Sequence, residues 1–414
     1  MHQTKHKNRT LKKIHPTQLK FSILQFLFWA TYAAYTPFIV VILQEKGFNN
    51  TVIGAILSVN SFIVVLAQPL WGLVSDWIRS VRKIFLLCFT VAIILFQSIP
   101  FVHSVLFTGI IFALFTFFES PLSPLLDSWI IQSIREEASI PYGSIRLWGS
   151  IGYAVLCLVF SKVLNHTSIN VLFPSFAAIG ICTMLISSRI NEDNPVSTAM
   201  AAKDLKVGRL LKNYRYLAFL LFSVVIYIPH KASSSFLPNL IESVGGTKAD
   251  VALASSLTAF AEVPMFLMNT KLLKKFKPTQ LILASAVFFI LRQIGCLVAA
   301  TPAQVILVQI LNGAAFALFL NGAVYYIDSL APDELKATAQ TVATSLYVGA
   351  SGIISSYGGG WVIDNLGLAA LHRAGAYISL GITALFVASF PIIDKIEQRN
   401  RKTQEAAVES YKQV

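Results

Sequence analysis

Glu119, Asp127, Arg146, Lys231, Glu262 and Arg292 stand inside long apolar runs, where a membrane would not tolerate them facing lipid. A charged side chain at the centre of hydrocarbon costs at least about 2.5 kcal/mol even on the mildest insertion scale, so such groups face an interior and mark function. Asp127 lies near the end of one run and Arg146 near the start of the next, with a short loop between. An acid and a base so placed sit at similar depth and can grip hydroxyl groups from the acceptor and donor sides together. Glu119, about two turns before Asp127, can join them or titrate by itself. Glu262 and Arg292 lie mid-span on neighbouring runs. Lys231, beside His230 and just after Pro229, adds a cation at a similar depth. Proton coupling needs an acid whose hold on a proton differs between two cavity states: burial favours a neutral carboxyl, a nearby cation the charged one. Glu262 partnered by Arg292 is the expected pair, although a static ion pair that orients helices has the same sequence signature. His230 fits either a pH switch or a satisfied polar residue. Asn312, Gln309, Asn321 and Tyr325 offer neutral hydrogen bonds to a polyhydroxylated ligand or to neighbouring helices. Phe28, Trp29 and Tyr32 suit packing as well as ligand stacking.

Membrane-spanning helices must position these groups. The chain is 55% hydrophobic and 13% charged, about half the charge of a soluble protein. Runs of about 20 apolar residues, enough to cross a bilayer, occur twelve times: 19–43, 51–74, 84–102, 104–132, 143–164 and 168–188, then 215–240, 250–270, 279–300, 303–328, 338–362 and 370–393. The predicted fold is all-α and membrane-integral, with two pseudo-symmetric six-helix bundles (19–188 and 215–393). A polar linker (189–214) joins them, and short tails (1–18 and 394–414) flank them. Pro37, Pro121, Pro124, Pro229, Pro238 and a glycine group in the eleventh run (Gly349, Gly352 and 358–360) predict breaks, tolerated at membrane depth where helices bend around a cavity.

Most of the 33 Lys and Arg fall in the two tails, the linker and every second loop, while Lys46, Lys162, Lys248 and Arg373 mark the other side. The positive-inside rule then places both termini in the cytoplasm of a cell-membrane protein. The net charge of +13 is thereby accounted for by topology, and no nucleic-acid partner is expected. The first run is too long for a signal-peptide core. Cys88, Cys157, Cys182 and Cys296 stand singly in apolar runs without metal-ligand spacing. Phosphate-cradling glycine loops and nucleophile–base sets are lacking, which argues against ATP-driven transport and against an enzyme. The tails are too short and polar for a signalling domain.

Between the second and third runs the chain reads Gly72-Leu-Val-Ser-Asp76-Trp-Ile-Arg79-Ser-Val-Arg82-Lys83. This resembles the loop signature of the major facilitator superfamily, G-x-L-a-D-r-x-G-r-k, with the second glycine replaced at Ser80 or Val81. Asp76 at a helix end can pair with basic residues or a neighbouring helix N-terminus and latch a gate. Tyr142-Gly-Ser-Ile-Arg146-Leu-Trp148-Gly-Ser-Ile-Gly152-Tyr153 is similar to the fifth helix of the lactose-permease-like group, which holds oligosaccharide–proton symporters, nucleoside permeases and phenylpropionate permeases. The resemblance implies that Arg146 binds a substrate hydroxyl and pairs with Asp127, one position off the strict spacing, and that Tyr153 stacks on a sugar ring. Glu262 and Arg292 match that group's eighth- and ninth-helix acid and arginine. Its tenth-helix Lys, His and Glu fall on Gln309, Asn312 and Ala315, its eleventh-helix lysine near Val348, and the asparagine after the helix-8 acid on Met265. Half of the lactose machinery is therefore replaced, and the proton route must differ.

These readings together predict a monomeric secondary transporter that works by alternating access. It would take up a small polar solute with protons, a sugar or oligosaccharide first and a nucleoside next, using the proton gradient and no bound cofactor. An aromatic acid as solute, held by Arg146, Arg292 or Lys231, or export of a drug or metabolite, are the alternatives.

Overall fold

With no water in a bilayer to satisfy backbone groups, apolar runs of this length must close their hydrogen bonds internally. The computed structural model describes residues 15–134, 140, 142–190, 210, 213–332 and 335–412, nearly all of them helical. Among the described residues eleven helices are long and apolar enough to cross a membrane: α1 (Pro16–Glu45), α2 (Asn50–Ile78), α3 (Val81–Phe101), α4 (Val105–Ser133), α5 (Tyr142–Val163), α6 (Ile169–Ser188), α7 (Tyr214–Ser235), α8 (Lys248–Leu267), α9 (Pro278–Val298), α10 (Pro302–Leu330) and, last in the chain, α12 (Leu368–Ile396). The remaining expected span forms α11 (336–366), as long as the others but too rich in Ser, Thr and Gly to rank with them in hydropathy. The helix of α12 runs on to Lys412, through the segment expected to be a tail. The N-terminal tail through residue 14, Arg135 and nearly all of the linker lie outside the described residues.

The predicted breakers act where expected. A 3₁₀ turn at Thr36–Phe38 surrounds Pro37 in α1, α4 is interrupted at Ser120 and Pro121, and α7 stops at Ser235 before a short continuation, Leu237–Ser243, that begins with Pro238. In α11 a π-helical turn spans Ser345–Ala350. Neighbouring side chains cover backbone carbonyls at these breaks: Gln68 Nε2 donates to the Ser120 carbonyl at 3.1 Å, and Gln293 Nε2 to that of Pro229 at 3.0 Å.

Aromatic packing holds each half together. Phe28 meets Phe85, Phe89 and Tyr32 in the first half, and Phe96 meets Phe176 with ring centroids 4.5 Å apart. In the second half Phe222 stacks on Phe386 at 4.4 Å. One apolar core covers the first half and continues into Ala232–Ile241 and Ala249–Ala254, the part of α7 and α8 remote from the chain termini. The other core occupies the terminal side of the second half. The halves are thus fused at the end remote from the termini, here called the far end.

Backbone contact between α2 and α11 makes that fusion. A Cβ on Gly54 would strike the Ser356 carbonyl, and one on Gly360 the Asn50 carbonyl, so small residues let the two helices touch, as dispersion-driven membrane packing favours. Ser58 Oγ donates to the Ile353 carbonyl at 2.9 Å. Past the predicted span, in the last exposed turn of α11, the Asp364 carboxylate caps the N-terminus of α2. It accepts from the backbone N–H of Asn50 at 3.2 Å and of Thr51 at 2.6 Å, and from both side chains, where the helix dipole favours an anion. Partial burial pushes this carboxyl upward, but the hydrogen bonds from Thr51 and Asn50 outweigh it and hold the group below its ordinary value. Asn239 bridges Gln44 and Asn50, and Lys248 pairs with Glu45.

The terminal end is different. The Asp76 carboxylate has no partner among the described residues, so the latch expected of it is not made in this conformation. Arg82 instead donates to the Ile190 carbonyl at 2.9 Å, tying α3 to the end of α6. The expected glycine replacement is also corrected. The left-handed residue that closes α2 is Arg79, at φ 54°, whereas Ser80 is extended and caps α3 by accepting from Lys83 N–H. Gly72 lies half-buried one turn before Asp76 with open space beside it.

Two outcomes follow. Asp364→Asn should open the far end about fivefold more often (about 1 kcal/mol for exposed charge-assisted hydrogen bonds), read as faster thiol labelling of a cysteine placed at the buried Val41. Because the carboxyl is held below its unfolded value of about 3.9, its contribution is complete above that pH and fades only as pH falls through the depressed value. The effect of the substitution should therefore be constant between pH 5 and 8. Arg79→Gly should raise the unfolding temperature, since a left-handed non-glycine residue costs roughly 1 kcal/mol.

Candidate functional site between the halves

Side chains at helical spacing converge on the middle of the bundle. Trp29, Tyr32 and Thr36 of α1 recur every three or four residues, as do Arg146, Ser150 and Tyr153 of α5 and Ser255, Thr258 and Glu262 of α8, so each set forms one stripe on its helix. With Arg292 of α9, Asn312 of α10 and the broken end of α7 they enclose a cavity of about 410 Å³, within the ~300–1,000 Å³ usual for small-molecule sites.

On the first half's wall the Arg146 guanidinium lies flat on Trp29, 4.3 Å from the ring centroid. Arg146 Nε is 4.0 Å from Asp127 Oδ1, and Gln25 Nε2 donates to the same oxygen at 3.1 Å. The expected meeting of Asp127 and Arg146 is therefore present, with Arg146 lining the cavity and Asp127 outside its lining. A stacked guanidinium keeps its in-plane donors available. The Tyr153 hydroxyl shares a 3.1 Å hydrogen bond with Thr36 Oγ1 at the α1 break. Glu119 does not join this group. It is buried behind the lining, where its carboxylate takes the Tyr35 hydroxyl and its carbonyl the Tyr32 hydroxyl.

The second half's wall departs further from expectation. Glu262 lines the cavity with neither hydrogen bond nor ion pair among the described residues. The expected pair with Arg292 is not formed. Arg292 is fully buried and held by neutral acceptors, Nη1 on the His230 carbonyl at 3.4 Å and Nη2 on Gln309 Oε1 at 3.3 Å. Distance from an acid leaves it free to brace α7 just before its break. The His230 ring is packed against Phe289, centroids 4.6 Å apart, and is not part of the lining. Lys231 points into a different cavity, between α2, α7 and α11. Asn312 does line the central cavity, and its Oδ1, like Trp29 Nε1 and Arg292 Nε, is buried without a hydrogen-bond partner. Buried polar atoms are nearly always paired, so three such atoms around one cavity point to a polar ligand.

Trp29 and Gln25 were not singled out from sequence, although the spacing of Gln25, Trp29, Tyr32 and Thr36 was a usable signal. Gln293 was missed as well. It bridges His372 Nδ1, 3.0 Å away, to the Pro229 carbonyl, joining three helices in a way no local pattern reveals.

The pattern that defines the MFS_1 like family matches residues 18–374. The chain belongs to this family. It is a major facilitator transporter and a multi-pass membrane protein, not an enzyme. The chain is 25% identical over 355 residues to the maltose permease of Geobacillus stearothermophilus, covering 85% of this chain and 89% of the permease. It is 23% identical to the lactose permease of Klebsiella oxytoca, over 90% of this chain and 92% of that one. The crystal structure of the nucleoside transporter NupG superposes with a TM-score of 0.79 at 19% identity, over 91% of this chain and 99% of that one. The fold expected from the sequence, two six-helix bundles around a central cavity, is that of this major facilitator transporter.

Gln309→Leu in this transporter removes one of the neutral acceptors on the buried Arg292 charge. It should cost about 1–3 kcal/mol, measured by thermal unfolding in detergent. The double variant Arg292→Met/Gln309→Leu should be less destabilised than Gln309→Leu alone, because it leaves no uncompensated charge.

Proposed function

We propose that the protein takes up a small polar solute, a sugar or oligosaccharide, together with protons, by alternating access across the cell membrane with both termini in the cytoplasm. The observation that carries this reading is Glu262: the one acid lining the central cavity, without a partner, on the wall opposite the Arg146–Trp29 stack. A carboxyl in that position can exchange its proton as the cavity changes access. On this reading the far end is extracellular, and the described conformation is closed to the outside. Asp127 and Gln25 set Arg146 on Trp29 so that its in-plane donors meet solute hydroxyls, and Tyr153 and Asn312 complete the polar ring. Asp76 would latch the cytoplasmic end when the halves rock the other way.

Similarity to maltose and lactose permeases supports a sugar, and the likeness to a nucleoside transporter keeps a nucleoside next. The proton gradient supplies the energy without a bound cofactor, and one chain suffices, since the cavity is built from a single chain.

External pH in a lightly buffered suspension of de-energised cells tests this reading. Adding maltose, other sugars or nucleosides one at a time should produce transient alkalinisation for one class. Glu262→Gln should abolish it while the protein remains in the membrane. Alkalinisation that survives in Glu262→Gln would remove Glu262 from the proton path.

A further inference from the structure

Lys231 is a cation that the central site does not use. Its side chain enters a cavity of about 560 Å³ bounded by Ser61 to Pro69 of α2 and Gln340 to Gly349 of α11, and no lining residue is shared with the central cavity. No acid is among the residues lining this second cavity, and Lys231 has no hydrogen bond or ion pair among the described residues. A charge held at membrane depth without a partner is costly and marks function. Around it the wall offers the hydroxyls of Ser61, Thr344 and Ser345, and between them the apolar faces of Val64, Val65 and Val348. Ser345, Val348 and Gly349 belong to the π-helical turn of α11, a distortion that occurs preferentially at functional sites.

We propose that this cleft is a second ligand site, for a small organic monocarboxylate whose carboxylate meets the Lys231 ammonium and whose apolar body lies against the valines. A single lysine with hydroxyl donors matches a single negative charge, and the volume exceeds what an inorganic anion fills. The site draws on both halves, α2 from the first and α7 and α11 from the second. A ligand there fixes the spacing of α2 and α11 and shifts the balance between the two access states by its differential affinity for them. The proposal is independent of the solute and proton assignments made for the central cavity.

Benzoate, with benzamide as its neutral counterpart, tests the site on the purified full-length protein in detergent. Binding is measured by calorimetry and by the shift in unfolding temperature. Benzoate should bind saturably and raise the unfolding temperature, and benzamide should do neither. Lys231→Gln should weaken benzoate at least tenfold, Lys231→Arg should keep most of the affinity, and Arg146→Gln should leave it unchanged. Should Lys231→Gln fail to fold, Val64→Phe, which narrows the cleft from α2 without touching the charge, must weaken benzoate to a similar degree. Benzoate binding that persists in Lys231→Gln or Val64→Phe overturns the proposal. So does binding lost in Arg146→Gln, which would put the anion in the central cavity, and so does absence of saturable binding to the unaltered protein.

Discussion

The contact between α2 and α11 sets the state in which everything else is seen. At the far end these helices touch through Gly54, Ser356, Gly360 and Asn50, and the Asp364 carboxylate closes the seam by capping α2. Toward the termini the same two helices part around the Lys231 cleft. Small residues make the contact possible, because between membrane helices there is little hydrophobic gain and close dispersion contact must do the work. A seam held by a few polar caps and by surface contact alone is cheap enough to break, which a protein that alternates between two closures requires.

The four intramembrane cations and acids nearest the centre are each handled differently. Arg146 is stacked on an aromatic face and approached by an acid. Arg292 is sealed among neutral acceptors, whereas Glu262 and Lys231 face separate cavities without partners. Pairing Glu262 with Arg292 would have neutralised both at the expense of their availability. Keeping them apart leaves an acid exposed to the solute space and a cation free to brace a broken helix.

Spans and breaks were legible from the chain because they depend on local composition: apolar length decides a crossing, and proline or glycine decides an interruption. The meeting of Asp127 with Arg146 was legible too, since a short loop forces consecutive helices together. The choice of partner for Arg292 was not, because Gln309 and the His230 carbonyl come to it from α10 and α7, and a carbonyl freed near Pro229 leaves no mark in a list of charged residues. Lys231 was misplaced for a related reason. Depth along a helix can be counted from sequence, but the direction a side chain faces depends on where the helix bends. Arg79 shows the converse, a left-handed position hidden because arginine stands where glycine is the easy choice.

The π-helical turn at Ser345–Ala350 is, in effect, an inserted residue that the helix has absorbed without unwinding. Each residue of an α-helix advances by about 100°, so an uncompensated insertion would turn all that follows onto another face. Here Gly352, Ser356 and Gly360 meet α2 on one side of the turn while Thr344 faces the Lys231 cleft on the other. Relatives lacking the extra residue would present one of these two faces but not both. The history of this helix is therefore to be sought in a single-residue gap within 345–350, rather than in its substitutions.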